Sequence, residues 1–175
     1  FLELLGETHR RYRIRIYAYS LMTNHWHGVV QTPDANLSAA MQWLHLSYAS
    51  WFNARHRRVG PLFAGRFGST PIEDGAWAYS VSLYVHLNPV CHDAFGLGRR
   101  ARQVEGRGLR APSEEEATRR VAALRSYPWS SYRAYAGYCS APEWLDLETV
   151  LSRASRTRSE RQSAYRADAT ALLTK

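Results

Sequence analysis

The segment Tyr17 to Val30, YAYSLMTNHWHGVV, constrains the fold of the chain more than any other. It mixes aromatic and β-branched residues, and Thr23-Asn24 interrupts them with turn chemistry. With the alternating Arg13-Ile14-Arg15-Ile16-Tyr17 that precedes it, the pattern predicts an antiparallel hairpin. Side chains two apart on a strand leave by the same face, so His25 and His27 are expected side by side with Trp26 opposite. Two imidazoles held this way can take two positions on one divalent cation. A His-x-His pair alone reads more simply as two half-exposed strand histidines that have no chemical role.

A second segment, Tyr79 to Val90, reads YSVSLYVHLNPV. Ser80, Tyr84 and Asn88 recur at helical spacing and form a polar stripe flanked by Val81 and Val85. Such a helix presents a phenol and a carboxamide together, in type a nucleophile and an oxygen ligand. Asp74 is expected to cap this helix and Pro89 to end it, which puts Asn88 in the last turn. His86 points away from Tyr84 and reads as structural.

Four motifs carry a resemblance: LMTNHWHGVV, NLSAAMQWLHLSYASWFNARHRRVGPLFAGRFGS, YVHLNPV and YPWSSYRAY. Through them the chain resembles the HUH single-tyrosine transposases, specifically the REP-associated group within the insertion-sequence-200-like superfamily. The resemblance implies an α+β fold: a ferredoxin-like antiparallel sheet with helices on one face and a helical C-terminal appendage. Relatives carry one more strand before the first helix, so the sheet is expected to lack its first N-terminal strand and to leave an edge exposed. Boundaries are set at 1–92 for the catalytic core, 93–126 for a basic flexible insertion with a short helix, and 127–175 for the aromatic and helical appendage.

The activity implied is a metal-dependent single-stranded DNA endonuclease and strand transferase, a transposase cutting near palindromic-repeat hairpins. By position Tyr84 matches the catalytic tyrosine, which forms a 5′-phosphotyrosine link. His25 and His27, with Asn88 as third ligand, match the holders of Mg²⁺ or Mn²⁺. Arg66, in its LFAGRF setting, is expected on the DNA backbone, and a homodimer is left open. Two other readings of the residues stand beside this one. A ferredoxin-like module could bind nucleic acid without catalysis, or a metal phosphodiesterase could use activated water with Tyr84 only positioning the substrate.

The composition agrees with a polyanionic partner. The 175 residues carry a net charge of +8, almost entirely from arginine, since Lys175 is the only lysine. Arginine binds phosphate bidentately and stacks on bases. The length suits one compact domain with additions, and 45% hydrophobic content provides a core. Cys91 and Cys139 are far apart and form no Cys-x-x-Cys pattern, which argues against a zinc ribbon or a disulfide framework. No apolar run approaches the roughly 20 residues that span a bilayer, so a soluble chain is expected, and the cysteine usage suits a reducing, cytoplasmic and nucleoid-associated setting.

Several local expectations complete the reading. Phe1 to Leu5 has a helical apolar pattern, and Arg11, Arg13 and Arg15 are expected on one solvated strand face. Asn36 caps a long helix with Leu37, Met41, Leu44, Tyr48 and Phe52 as its core stripe. Trp43 and Trp51 are read as packing residues. Arg55, Arg57 and Arg58 make a basic run that suits either phosphate contact or plain solvation. Gly65-Arg66-Phe67 is expected to lead into a short strand reaching Ile72, at an edge because of Pro71. Gly96 to Arg110 is expected to be a flexible basic loop. Ser113-Glu114-Glu115-Glu116 reads as a capping box. Tyr127 to Tyr135 is expected to clamp the C-terminal segment to the domain, followed by a short helix near Asp146 and a polar helix in the tail.

Overall fold

The computed structural model describes residues 1–72 and 75–174. Tyr17 to Val30 folds into the expected hairpin: strand β1, Arg15–Leu21, pairs antiparallel with β2, Trp26–Gln31. Ser20 lies opposite His27, and Leu21 opposite Trp26. The register shifts between Ile16 and Ala18, so strict alternation breaks there. Ile16 and Tyr19 therefore enter one core cluster while Tyr17 and Ala18 enter the other.

Helix α1, Leu2–Tyr12, is longer than its sequence pattern predicts. The alternating arginines do not form a strand from Arg10: the helix runs through Tyr12, and Arg13 then turns the chain with φ 55°. His9, Arg10 and Arg11 complete the last turn, where cations meet the negative end of the helix dipole. Arg11 consequently lies over the ring of Trp43, 4.6 Å from its centre, not on a strand face.

Helix α2, Leu37–His56, buries Ala40, Met41 and Leu44 against α1 and the hairpin. Asn36 occupies its N-cap position, but the side-chain amide donates to Tyr12 O at 2.9 Å and ties the two helices together instead of capping. Helix α3, Gly75–Leu87, covers the other face of the hairpin, so α1 and α2 stand on one side and α3 on the other. The cap expected at Asp74 lies outside the described residues. Asn88–Val90 forms a 3-10 turn with Pro89 inside it, which ends α3 where the sequence predicts.

No strand forms over residues 65–72. The outer edge of β1 is already taken by C-terminal backbone. Leu21 N donates to Trp129 O at 2.8 Å, Ser131 N to Tyr19 O at 3.0 Å, and Asp146 N to Ile16 O at 2.9 Å. The phenols of Tyr127 and Tyr135 donate to Leu21 O and Tyr17 O at 2.5 and 2.6 Å. The aromatic segment thus clamps the tail to the hairpin as expected. Trp144 adds a contact that only glycine permits, because a Cβ on Gly6 would sit 2.5 Å from its ring. The far edge of β2 has no backbone partner among the described residues.

The basic stretch expected as a flexible loop contains helix α4, Arg99–Gly106. Helix α5, Glu114–Ser126, begins with the capping box of Ser113 and Glu116. Between them Arg120, fully buried, donates to Phe95 O, Gly96 O and Leu173 O and pairs with Glu105 on α4. A buried guanidinium with every contact filled fixes the surrounding segments, since losing a partner strands a charge. Short helices α6, Tyr132–Tyr135, and α7, Glu148–Leu151, precede α8, Arg161–Thr174, whose Tyr165, Ala169 and Leu173 enter the core beneath α3. Among the described residues no helix is long and apolar enough to cross a membrane.

Candidate active site

The hairpin turn delivers both histidines to the α3 side. His25 precedes β2 and is exposed; His27, the second residue of the strand, is half-buried. Their Nε2 atoms are 3.2 Å apart. Two nitrogens bound at about 2.1 Å to one ion lie about 3.0 Å apart at a right angle and about 3.4 Å apart in a tetrahedron, so the observed spacing suits a shared cation. His25 Nδ1 is 2.7 Å from Asn24 Oδ1, a contact that orients the ring with Nε2 toward His27. Burial, and then the neighbouring His25, lower the pKa of His27 and keep its ring neutral near pH 7.

Trp26 leaves by the opposite face, as predicted, and donates to His45 Nε2 at 3.3 Å. A Cβ on Gly28 would come within 2.5 Å of the Trp26 ring, so the glycine lets that ring lie flat along the strand.

Across the site, α3 places the Tyr84 ring 5.9 Å from the His27 ring in an edge-to-face arrangement. Tyr84 is 53% exposed, and Ser80 beside it is also exposed. Asn88 Nδ2 donates to Tyr84 O at 2.7 Å, which holds the amide against the end of the helix. The structure therefore brings His25, His27 and Tyr84 together and sets Asn88 one turn from Tyr84; no direct contact joins Asn88 to the imidazoles among the described residues. Among the described residues no group of three or more His, Cys, Asp and Glu side chains could hold a metal.

The inward face of α3 holds what sequence reasoning missed. His86 is fully buried, with Nδ1 2.7 Å from Tyr165 OH on α8 and Nε2 2.6 Å from Ser131 Oγ in the clamp. Ser82 Oγ is 2.8 Å from the same phenol, and Ser131 Oγ also accepts from Tyr19 N on β1. Burial drives the pKa of His86 down to about 3. The sequence marks His86 as structural by its helical phase, but its partners are 45 and 79 residues away and carry no local signal.

Arg55, Arg57, Arg58 and Arg66 are all exposed, and none is ion-paired among the described residues. The first three surround the end of α2, where Arg57 takes a left-handed conformation with φ 51°. Arg66 lies in the irregular segment that follows. Trp51 is 54% exposed, which corrects its assignment as a packing residue.

The hairpin, the paired imidazoles and the helix tyrosine opposite them define an α+β domain of the histidine-pair, single-tyrosine type. Residues 1–88 match the family described as Transposase IS200 like, and the chain belongs to that family. No curated protein and no solved structure matches the chain.

Proposed function

We propose that the chain is a DNA-nicking and rejoining transposase of the REP-associated type, acting on single-stranded DNA beside a hairpin. The observation that carries this reading is the exposed Tyr84 phenol facing His27, beside two Nε2 atoms spaced for one ion. His25 and His27 would hold Mg²⁺ or Mn²⁺, with Asn88 Oδ1 as the amide oxygen nearest in the chain to the tyrosine. Bound there, the cation supplies Lewis-acid polarisation of the scissile phosphate.

Tyr84 does the covalent work. Its phenolic oxygen attacks phosphorus in line, a bond forms from Oη to the 5′ phosphate, and the bond to the 3′ oxygen breaks. The phenolic proton ends on the released 3′-hydroxyl. Reversal by that hydroxyl, or by one from another strand, restores the phenol and reseals DNA, so the phosphodiester energy is kept in the link and no nucleotide cofactor is needed. The role of α3 is to keep the phenol within reach while its other face is anchored. Arg66 and the arginines at the end of α2 would hold phosphates of the bound strand away from the cut.

The test is incubation of the protein with end-labelled hairpin DNA carrying single-stranded flanks and Mn²⁺, followed by denaturing electrophoresis. A covalent adduct that disappears in Tyr84→Phe and in His25→Ala supports the proposal. Cleavage without an adduct contradicts it in favour of activated water, and binding without cleavage contradicts it in favour of a non-catalytic module.

A further inference from the structure

An aromatic ridge leads away from the candidate site along the outside of α2, and the proposed reaction does not use it. It begins at Trp26, the residue between the two histidines, whose ring is 5.3 Å from Phe1 and 6.2 Å from His45. Both routes converge on Tyr48: Phe1 is 5.1 Å from it, and His45 stacks on Phe63 at 4.2 Å, itself 6.3 Å from Tyr48. Tyr48 then stacks on Trp51 with ring centres 5.8 Å apart and planes 24° apart. From His45 to the end of α2 at His56 the ridge runs about 16 Å at 1.5 Å per residue.

Core packing accounts for Phe1 and Trp26, which lie against the cluster around Leu5 and Leu44, but not for the outer end of the row. Trp51, its outermost ring, is 54% exposed, and Leu46 on the same helix is 59% exposed. The electrostatic setting is one-sided. Between Asp34 and Glu73 the sequence has no acidic residue, while Arg55, one helical turn beyond Trp51, together with Arg57 and Arg58, is without an ion pair among the described residues. Arg58 also lies 5.8 Å above the Phe52 ring. An exposed indole at the end of a row of half-buried rings, beside unpaired guanidiniums, matches the chemistry of an unpaired nucleic-acid strand, with ring faces for bases and cations for phosphates.

We infer that the Tyr48–Trp51 ridge of α2 is a stacking track for unpaired bases in the single-stranded flank of the DNA substrate. This rests on the proposed function for the choice of DNA as the strand. It adds a second contact region, on the reverse side of β2 from the imidazoles, so a bound strand passes around the exposed turn at Asn24 and His25. Because every base has a π-face, the track grips without reading sequence.

The test compares the affinity of two labelled DNA hairpins by fluorescence anisotropy, one blunt and one bearing a single-stranded tail of about ten thymidines. Trp51→Ala is expected to weaken binding of the tailed hairpin about tenfold or more while leaving the blunt hairpin unchanged, and Trp51→Phe is expected to restore most of the loss. A tail of abasic residues should bind the wild type no better than the variant. The inference is overturned if Trp51→Ala binds the tailed hairpin as well as the wild type, if both hairpins weaken equally, or if the wild type gains nothing from the tail. Adduct formation, followed in parallel, separates the two claims. Tail binding that depends on Trp51 without any adduct sinks the proposed chemistry alone; an adduct with no Trp51 effect sinks the track alone.

Discussion

The two faces of helix α3 treat their polar groups in opposite ways. On the outward face Tyr84 is half exposed and its phenol is engaged by no hydrogen bond among the described residues. On the inward face Ser82 and His86 are fully buried, and both ring nitrogens of His86 are bonded. Buried polar groups that are fully satisfied define one arrangement, because any slip leaves a donor or acceptor stranded. The inner network therefore sets the axial position and rotation of the helix, and the outer face is left with side chains free to react. The C-terminal segments, beyond the residues that match the family, supply the inner partners through Ser131 and Tyr165.

The contrast is broken most severely at its outer face. Tyr84→Phe is expected to abolish covalent DNA adducts while changing unfolding free energy by less than about 0.5 kcal/mol, since the lost hydroxyl is exposed. Urea unfolding beside the adduct assay checks both halves. The inverse experiment is His86→Gln, which leaves the outer face untouched but removes the imidazole that joins Tyr165 to Ser131. A loss of about 2–4 kcal/mol is expected, again by urea unfolding. An unchanged stability would mean that the inner network does not anchor the helix.

Acid sharpens the same comparison. His86 titrates near 3 in the folded protein and near 6.5 when unfolded, so below 6.5 the unfolded chain binds the extra proton. Its contribution to stability is complete above that range and falls as pH drops from about 6.5 toward about 3, at no more than about 1.4 kcal/mol per unit. The slope should be missing from His86→Gln. The smallest effect is expected from Tyr165→Phe, which keeps the packing of the ring and removes one hydroxyl: a loss of about 1–2 kcal/mol by thermal or urea unfolding.

The parts of the fold that follow local rules were legible in the sequence. Residues two apart on a strand put His25 and His27 on one face, and helical spacing put Tyr84 and Asn88 in one stripe with His86 turned away. The capping box at Ser113 is likewise a matter of four neighbouring residues. What stayed hidden depends on distant partners. The stretch from Arg99 to Gly106 reads as a charged loop until Arg120 supplies the counterpart for Glu105. The expected strand at residues 65–72 does not form: Trp129 and Ser131 occupy the outer edge of β1, and the far edge of β2 has no backbone partner among the described residues. The alternating arginines mimic a strand because a helix with its cations in the last turn has no distinct local period over so few residues. Trp51 has the spacing of a core residue one turn beyond Tyr48, and only the position of α2 against the hairpin exposes it.

The most direct measurement is mass spectrometry of peptides from protein incubated with hairpin DNA and Mn²⁺, after nuclease digestion of the DNA. The account predicts a 5′-linked nucleotide remnant on the peptide containing Tyr84 and on no other tyrosine. A remnant on a different residue, or DNA cut with every tyrosine unmodified, would contradict it.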